Sequence, residues 1–252
     1  SAGTSGSIDV LAGSGSITQS ATSVFLSTGA TATARLLAAT SVTVGDIELS
    51  LGQVSITATA GAILDADPDS STNDTDQDIT ASALRMKAGT GIAGNVNHLE
   101  TTVVTLSARA GNGSIYVLEA DALIVGDVGL SVNRVVSNAT TETGSSTDAV
   151  QSDIRTTGGN GHIVLRTTAG SITLNNGTAP SDDTAVSADG TGNILIQALG
   201  ADTDITVNAD ITSGSGNVSV LAARSIVLTG TADIRTSSTA AGSGSIDVLA
   251  GT

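Results

Sequence analysis

The stretch LDADPDSSTNDTDQD, Leu64 to Asp78, holds the residues of this chain best suited to chemistry. Asp65, Asp67 and Asp69 stand at every second position, and Asp74, Asp76 and Asp78 repeat that spacing after Asn73. Carboxylates alternating along a loop can turn several oxygens toward one hard cation, so the pattern points to a weak Ca2+ site. It departs from an EF-hand loop, because Pro68 separates the second and third carboxylates and both the central Gly and the closing bidentate Glu are missing. The other reading is a solvated acidic loop that projects from the fold, and spacing alone leaves the two open. GGNGHIVLR, Gly158 to Arg166, has the glycines of the Ca2+-binding β-roll nonapeptide, but Ile163 stands where that motif has Asp and no tandem copy follows.

The two histidines, His98 and His162, have no Cys and no second His nearby, which predicts solvent-facing or hydrogen-bonded rings instead of metal ligands. Serines abound, yet no G-x-S-x-G elbow places one as a nucleophile. Polysaccharide lyases and hydrolases built on parallel β-helices need acids clustered with Arg or Lys, and usually aromatic platforms for sugar rings. Only 1% of this chain is aromatic. No enzymatic activity is expected, and no cofactor beyond the Ca2+ already considered.

Any element that positions these residues must be built from small aliphatics. Hydrophobic residues make up 39% of the chain, so Val, Ile, Leu and Ala have to fill the core with single additions such as Phe25 and Tyr116. A wide interior normally needs large aromatic side chains; a narrow solenoid needs only stacked layers of aliphatic ones. The formal net charge is −15 and the single lysine is Lys87, which argues against a nucleic-acid partner. There is no Cys, which excludes disulfides and thiolate metal sites. No run of eighteen or more apolar residues occurs, so membrane insertion of this segment is not expected. Thirty glycines against two prolines, Pro68 and Pro180, point to many tight turns, while recurring groups of Ile, Val and Leu separate the chain from a disordered linker.

The recurrent unit is a Gly-bounded strand: GSIDVLA at 6–12, GSIYVLEA at 113–120, GHIVLRT at 161–167, GSITLNN at 170–176, GNILIQA at 192–198 and GNVSVLA at 216–222. Ile, Val or Leu at every second position gives each strand one buried and one wet face. The expected core residues are Ile8, Val10, Ile115, Val117, Ile163, Leu165, Ile194, Ile196, Val218, Val220, Ile246 and Val248. ASALRMKA, Ala81 to Ala88, is the best helix candidate, and strand is still preferred for it. Asp-Ile-Arg-Thr precedes a Gly-bounded strand twice, at 153–156 and at 233–236.

The nonapeptide SGSIDVLAG occurs at 5–13 and again at 243–251, an offset of 238 residues. Such self-similarity marks a repeat architecture. The expectation is that residues 1–252 form one continuous solenoid segment, one period plus overlap of a longer array, with no signal peptide at its start. Cutting the period at strand starts gives nine coils: 7–34, 35–52, 53–82, 83–105, 106–128, 129–161, 162–192, 193–216 and 217–244. The predicted fold is therefore an all-β, right-handed parallel β-helix with about nine coils per 238-residue period. An antiparallel sandwich is the competitor, but Asn176-Gly177 and Asp189-Gly190 are its main hairpin signals.

The stretch DITASALRMKAGTGIAGNVNHLETTVVTLSARAGNGSIYVLEADALIVGDV, Asp78 to Val128, resembles the strand-repeat regions of very large bacterial surface exoproteins of the filamentous haemagglutinin-like type. The resemblance extends more weakly over nearly the whole chain, and its motifs are compositional, so it carries over no functional residue. It implies a secreted, cell-surface β-solenoid that mediates adhesion or forms fibres. With the repeated ends, it predicts a structural filament whose partners are further copies of itself, joined covalently or head to tail. The alternative is an adhesin that binds a receptor or glycan through loops 64–80 and 137–152.

Overall fold

A computed structural model of the chain describes residues 6–67, 76–237 and 244–251. Among these residues there is no helix, and every strand but two joins a parallel ladder. Ala81 to Ala88 lies within the strand Ile79–Ala88. The ladders are three, which we number I to III in the order the chain meets them.

Ladder I begins at Ser7–Ala12 and Thr33–Ala38, takes in the second halves of Asp46–Ala58, Ile79–Ala88 and Leu99–Ala110, and continues through Ile154–Thr156, Thr184–Ala188, Asp210–Ser213 and Ile234–Thr236. Its inward column is Val10, Leu36, Ile56, Met86, Ala108, Ile154, Val186, Ile211 and Ile234. Both Asp-Ile-Arg-Thr blocks fall on this ladder. Ladder II stacks Ile17, Val42, Ile63, Ile92, Ile115, Ile163, Ile194, Val218 and Ile246, each directly on the one before. An unbroken column of β-branched side chains suits a strand, where their stiff χ1 packs well against the neighbour above. Ladder III runs from Val24–Leu26 through the first halves of the long strands to Thr101, then in a shifted frame through Leu123–Val125, Ile172–Leu174, Asp204–Val207 and Ser225–Leu228.

Glycine makes the corner between ladders I and II possible. A Cβ on Gly161 would overlap the carbonyl oxygen of Gly113, and the same holds for Gly192 on Gly161 and Gly216 on Gly192. Stacked coils leave no space there for a side chain, so each ladder II strand after Ile92 opens on Gly two residues ahead of its first inward Ile or Val.

The coil count differs from the expectation of nine. From Ile8 on ladder I, 238 residues lead to Ile246 on ladder II, which is eight coils plus one face. The segment cut as a coil at 129–161 is mostly an antiparallel hairpin, Val128–Val135 with Thr141–Gln151, and loop 137–152 is largely its second strand. The turn uses no Asn-Gly pair. Asn138 Oδ1 accepts the Thr140 N–H at 3.1 Å and its hydroxyl at 2.7 Å, while Ala139 takes a φ of 63°. The two Gly dipeptides that signalled hairpins instead lie between parallel strands.

The hairpin folds back across the outer side of ladder I and packs on Ser7–Ala12, Thr33–Ala38, Asp46–Ala58 and Ile79–Ala88. Beneath it runs an outward polar row, one residue per coil: Asp9, Arg35, Ser55, Arg85 and Ser107. Asp148 of the hairpin accepts Arg35 Nε at 3.0 Å and the Ser55 hydroxyl at 2.6 Å. Arg85 donates to Ala149 O, and Gln151 Nε2 donates to Met86 O and to Ser107 Oγ.

Of the expected core residues, Ile115, Val117, Ile163, Leu165, Ile194, Ile196, Val218 and Val220 are buried, and Ile8 and Val10 are partly buried against the same cluster. Ile246 and Val248 are 46% and 47% exposed, a correction with a simple cause. They face the interior side of ladder II, but on the last described strand no coil covers them.

Candidate functional site

The acidic residues divide between two neighbouring coils. Asp65 ends the ladder II strand Ile63–Asp65, Asp78 immediately precedes the ladder III strand that starts at Ile79, and Glu100 lies one coil further on. The register Ile79↔Thr101 sets Glu100 beside Asp78. Asp78 N–H donates to Glu100 O at 3.0 Å, and Glu100 N–H donates to Asp78 Oδ2 at 2.8 Å. One oxygen from each of Asp65, Asp78 and Glu100 falls within 4.8 Å of the others. Among the described residues these three are therefore the group able to meet at one cation.

The surroundings make charge costly at this corner. Asp78 is 9% exposed and Glu100 is 4% exposed. Burial, followed by the adjacent Asp65 charge, holds the Asp78 carboxyl well above the usual carboxylate range. Burial also raises Asp65, against hydrogen bonds from Asp67 N–H, Asp78 and Asn97 that favour its charged form. Two charged carboxylates side by side are therefore disfavoured at this corner, and a hard divalent cation would offset that charge. A Ca2+ shell takes about six to eight oxygens, and the described side chains supply three carboxylates toward it.

Of the remaining acids of the expected Ca2+ set, Asp67 and Asp76 fall outside this group but line one small pocket with Asp78 and Asp46. Asp67 gives its N–H to Asp65 at 2.8 Å and its carbonyl to Asn97 Nδ2 at 3.0 Å, which ties the strand end together through backbone groups. Asp76 lines a shallow surface groove with Asp46, Glu48, Ser50, Gln77 and Thr80. Asp69 and Asp74 lie outside the described residues. Glu100 was missed from the sequence because it stands 22 residues beyond Asp78, one coil away, and no loop motif spans that distance. The signal available was a Glu inside an apolar and Thr-rich strand, HLETTVV.

A second buried carboxylate marks the shift in ladder III. Glu119, fully buried, pairs on one side with Thr101 and on the other with Thr167. Its carboxylate accepts the Thr101 hydroxyl at 2.7 Å, Val103 N–H at 3.0 Å and Asp121 N–H at 3.2 Å. Burial pushes Glu119 up to about 7 despite those three donors. The side chain supplies acceptors at the point where the strands exchange register, a structural use of a charged group.

The histidines divide as well. His162 Nδ1 accepts Asn193 N–H at 2.9 Å. His98 is buried and stacks on Tyr116 with ring centroids 5.5 Å apart, not solvent-facing, and burial lowers it to about 4. It is neutral at neutral pH, and its environment is a packing contact. No protein family, curated protein or solved structure matches the chain.

Proposed function

We propose that this chain is a structural repeat of an extracellular, cell-surface fibre, a right-handed β-solenoid that continues end to end through further copies of the same period. The observation that carries the reading is the ladder II column, nine aliphatic residues in register from Ile17 to Ile246, together with a nonapeptide that returns after 238 residues and contains the strands Ser7–Ala12 and Ile246–Ala250. Stability in such a stack sums over neighbouring coils, so length adds stiffness without a wider core. The net charge of −15 keeps the surface hydrated and limits sideways association. The resemblance to filamentous haemagglutinin-like exoproteins supports the same reading and the location outside the cell. The acidic corner at Asp65, Asp78 and Glu100 joins two coils in this account. Immunogold labelling of intact cells with an antibody to residues 128–151 tests it: label spaced regularly along surface fibres is expected. Label confined to the cell interior, or to isolated surface particles that also capture a glycan or receptor, would overturn the fibre in favour of another role.

A further inference from the structure

The two copies of SGSIDVLAG occupy different ladders. Ser7–Ala12 lies on ladder I and Ile246–Ala250 lies on ladder II. Each is paired along one edge among the described residues, and the edges are opposite: the first copy with the coil that follows it, at Thr33–Ala38, and the second with the coil that precedes it, at Val218–Ala222. The same side chains turn inward in both. Ile8 and Val10 stack on Ala34 and Leu36, while Ile246 and Val248 stack on Val218 and Val220. Asp9 is 94% covered, as its side chain retains 6% exposure beneath Arg35 and Arg134, whereas its counterpart Asp247 is exposed.

We propose that in the continuing fibre one copy of the nonapeptide serves both coils: a single shared strand, bonded along one edge to Val218–Ala222 of the preceding period and along the other to Thr33–Ala38 of the following one. This rests on the fibre reading and fixes its joint. Asp247 takes the place of Asp9. It receives Arg35 of the next period, as Asp9 does at 3.3 Å, and Arg134 and Ser146 of the next hairpin, as Asp9 does at 2.7 and 3.3 Å. The hairpin therefore clamps the joint from outside. A polar row at the corner continues through it as well: Asn193 Oδ1 accepts Asn217 N–H, Asn217 Oδ1 accepts both N–H and hydroxyl of Ser245, and Ser7, the counterpart of Ser245, shares a 2.9 Å hydrogen bond with Thr33. Stacking two complete copies instead would set Asp247 opposite Asp9 at about 4.8 Å, with like charges facing.

A shared strand that belongs to ladder II of one period and ladder I of the next turns each period by one face. Successive hairpins leave the fibre about a third of a turn apart, with a rise of about 40 Å for eight coils and one face at ~4.8 Å per coil. The test is a two-period chain, residues 1–251 followed directly by a second copy of residues 14–251, imaged by cryo-electron microscopy and followed by hydrogen exchange. Amides 246–250 are expected to gain protection over the single-period chain, with the second hairpin one face round from the first. Asp247→Lys leaves unfolding of the single-period chain unchanged, since the residue is exposed there, and lowers protection of the joint at least about tenfold in the two-period chain. Protected amides with hairpins in line would overturn the shared strand and keep the fibre. Two separate beads with amides 246–250 unprotected would overturn both.

Discussion

The outer side of ladder I is built in two ways. Over its first coils the row Asp9, Arg35, Ser55, Arg85 and Ser107 lies under the hairpin, where Asp148 and Gln151 complete its hydrogen bonds. Over its last coils no hairpin covers the charged pairs: Arg224 with Asp204 on ladder III and Arg155 with Asp182 at 2.5 Å are open to water, and Arg235, itself exposed, reaches a buried Asp210. The interior columns are alike in both regions, so the difference lies in what a charge contributes once water is removed. A covered ion pair is a constraint, because removing one partner leaves the other buried and alone. An exposed pair exchanges its partner for water at little cost. The covered region is also where strands run long enough to serve two ladders, Asp46–Ala58, Ile79–Ala88 and Leu99–Ala110. In the proposed repeat the first half is the specified part and the second half a plain spacer.

The interior is expected to be equally unforgiving in either half, which gives the largest effect. Val220→Asp places a lone carboxylate among fully buried aliphatics and should cost about 5 kcal/mol, read in denaturant unfolding and in faster exchange of strands 194–198 and 246–250. Unchanged unfolding would show that this face is not the core.

Asp148→Ala comes next and separates the two regions. It takes from Arg35 one of its two carboxylates, Asp9 remaining at 3.3 Å, and from the Ser55 hydroxyl its acceptor, so about 2 kcal/mol should be lost. Amides of 128–151 should exchange faster while those of 194–222 do not. Equal loosening of both halves would mean that the hairpin is not a local clamp.

The boundary between the regions should respond to pH through Glu119. Folding raises this carboxyl from its ordinary value near 4.5 to about 7, so the folded chain holds a proton that the unfolded chain has released. Its contribution is complete below about pH 4.5 and is lost as pH rises through 7, with a difference of order 3 kcal/mol. Glu119→Gln should flatten the stability curve between pH 5 and 8. A wild-type curve that rises over that interval would contradict the assignment.

The smallest effect completes the comparison. Asp204→Ala removes the partner of Arg224 in the open half, and no change in the unfolding midpoint is expected.

The sequence was most informative where one coil repeats the last. Alternation in GHIVLRT and GNILIQA marks Ile163, Leu165, Ile194 and Ile196 as inward, and the glycine two residues ahead of each first Ile marks a corner that only stacked carbonyls explain. It was least informative where residues far apart must meet. The hairpin hides because its turn relies on Asn138 and on Ala139 at positive φ instead of an Asn-Gly pair, and a cut into coils therefore counts it as one. Asp65 and Asp78 are legible as one acidic run, but Glu100 joins them through coil register. His98 follows the same rule, since its partner Tyr116 arrives from the next coil.

Cryo-electron microscopy of the native material tests the central claim most directly. The account predicts a strand spacing of about 4.8 Å along the axis, with a longer period near 40 Å and the hairpin density stepping one face per period. Discrete globular particles without the strand spacing would contradict it.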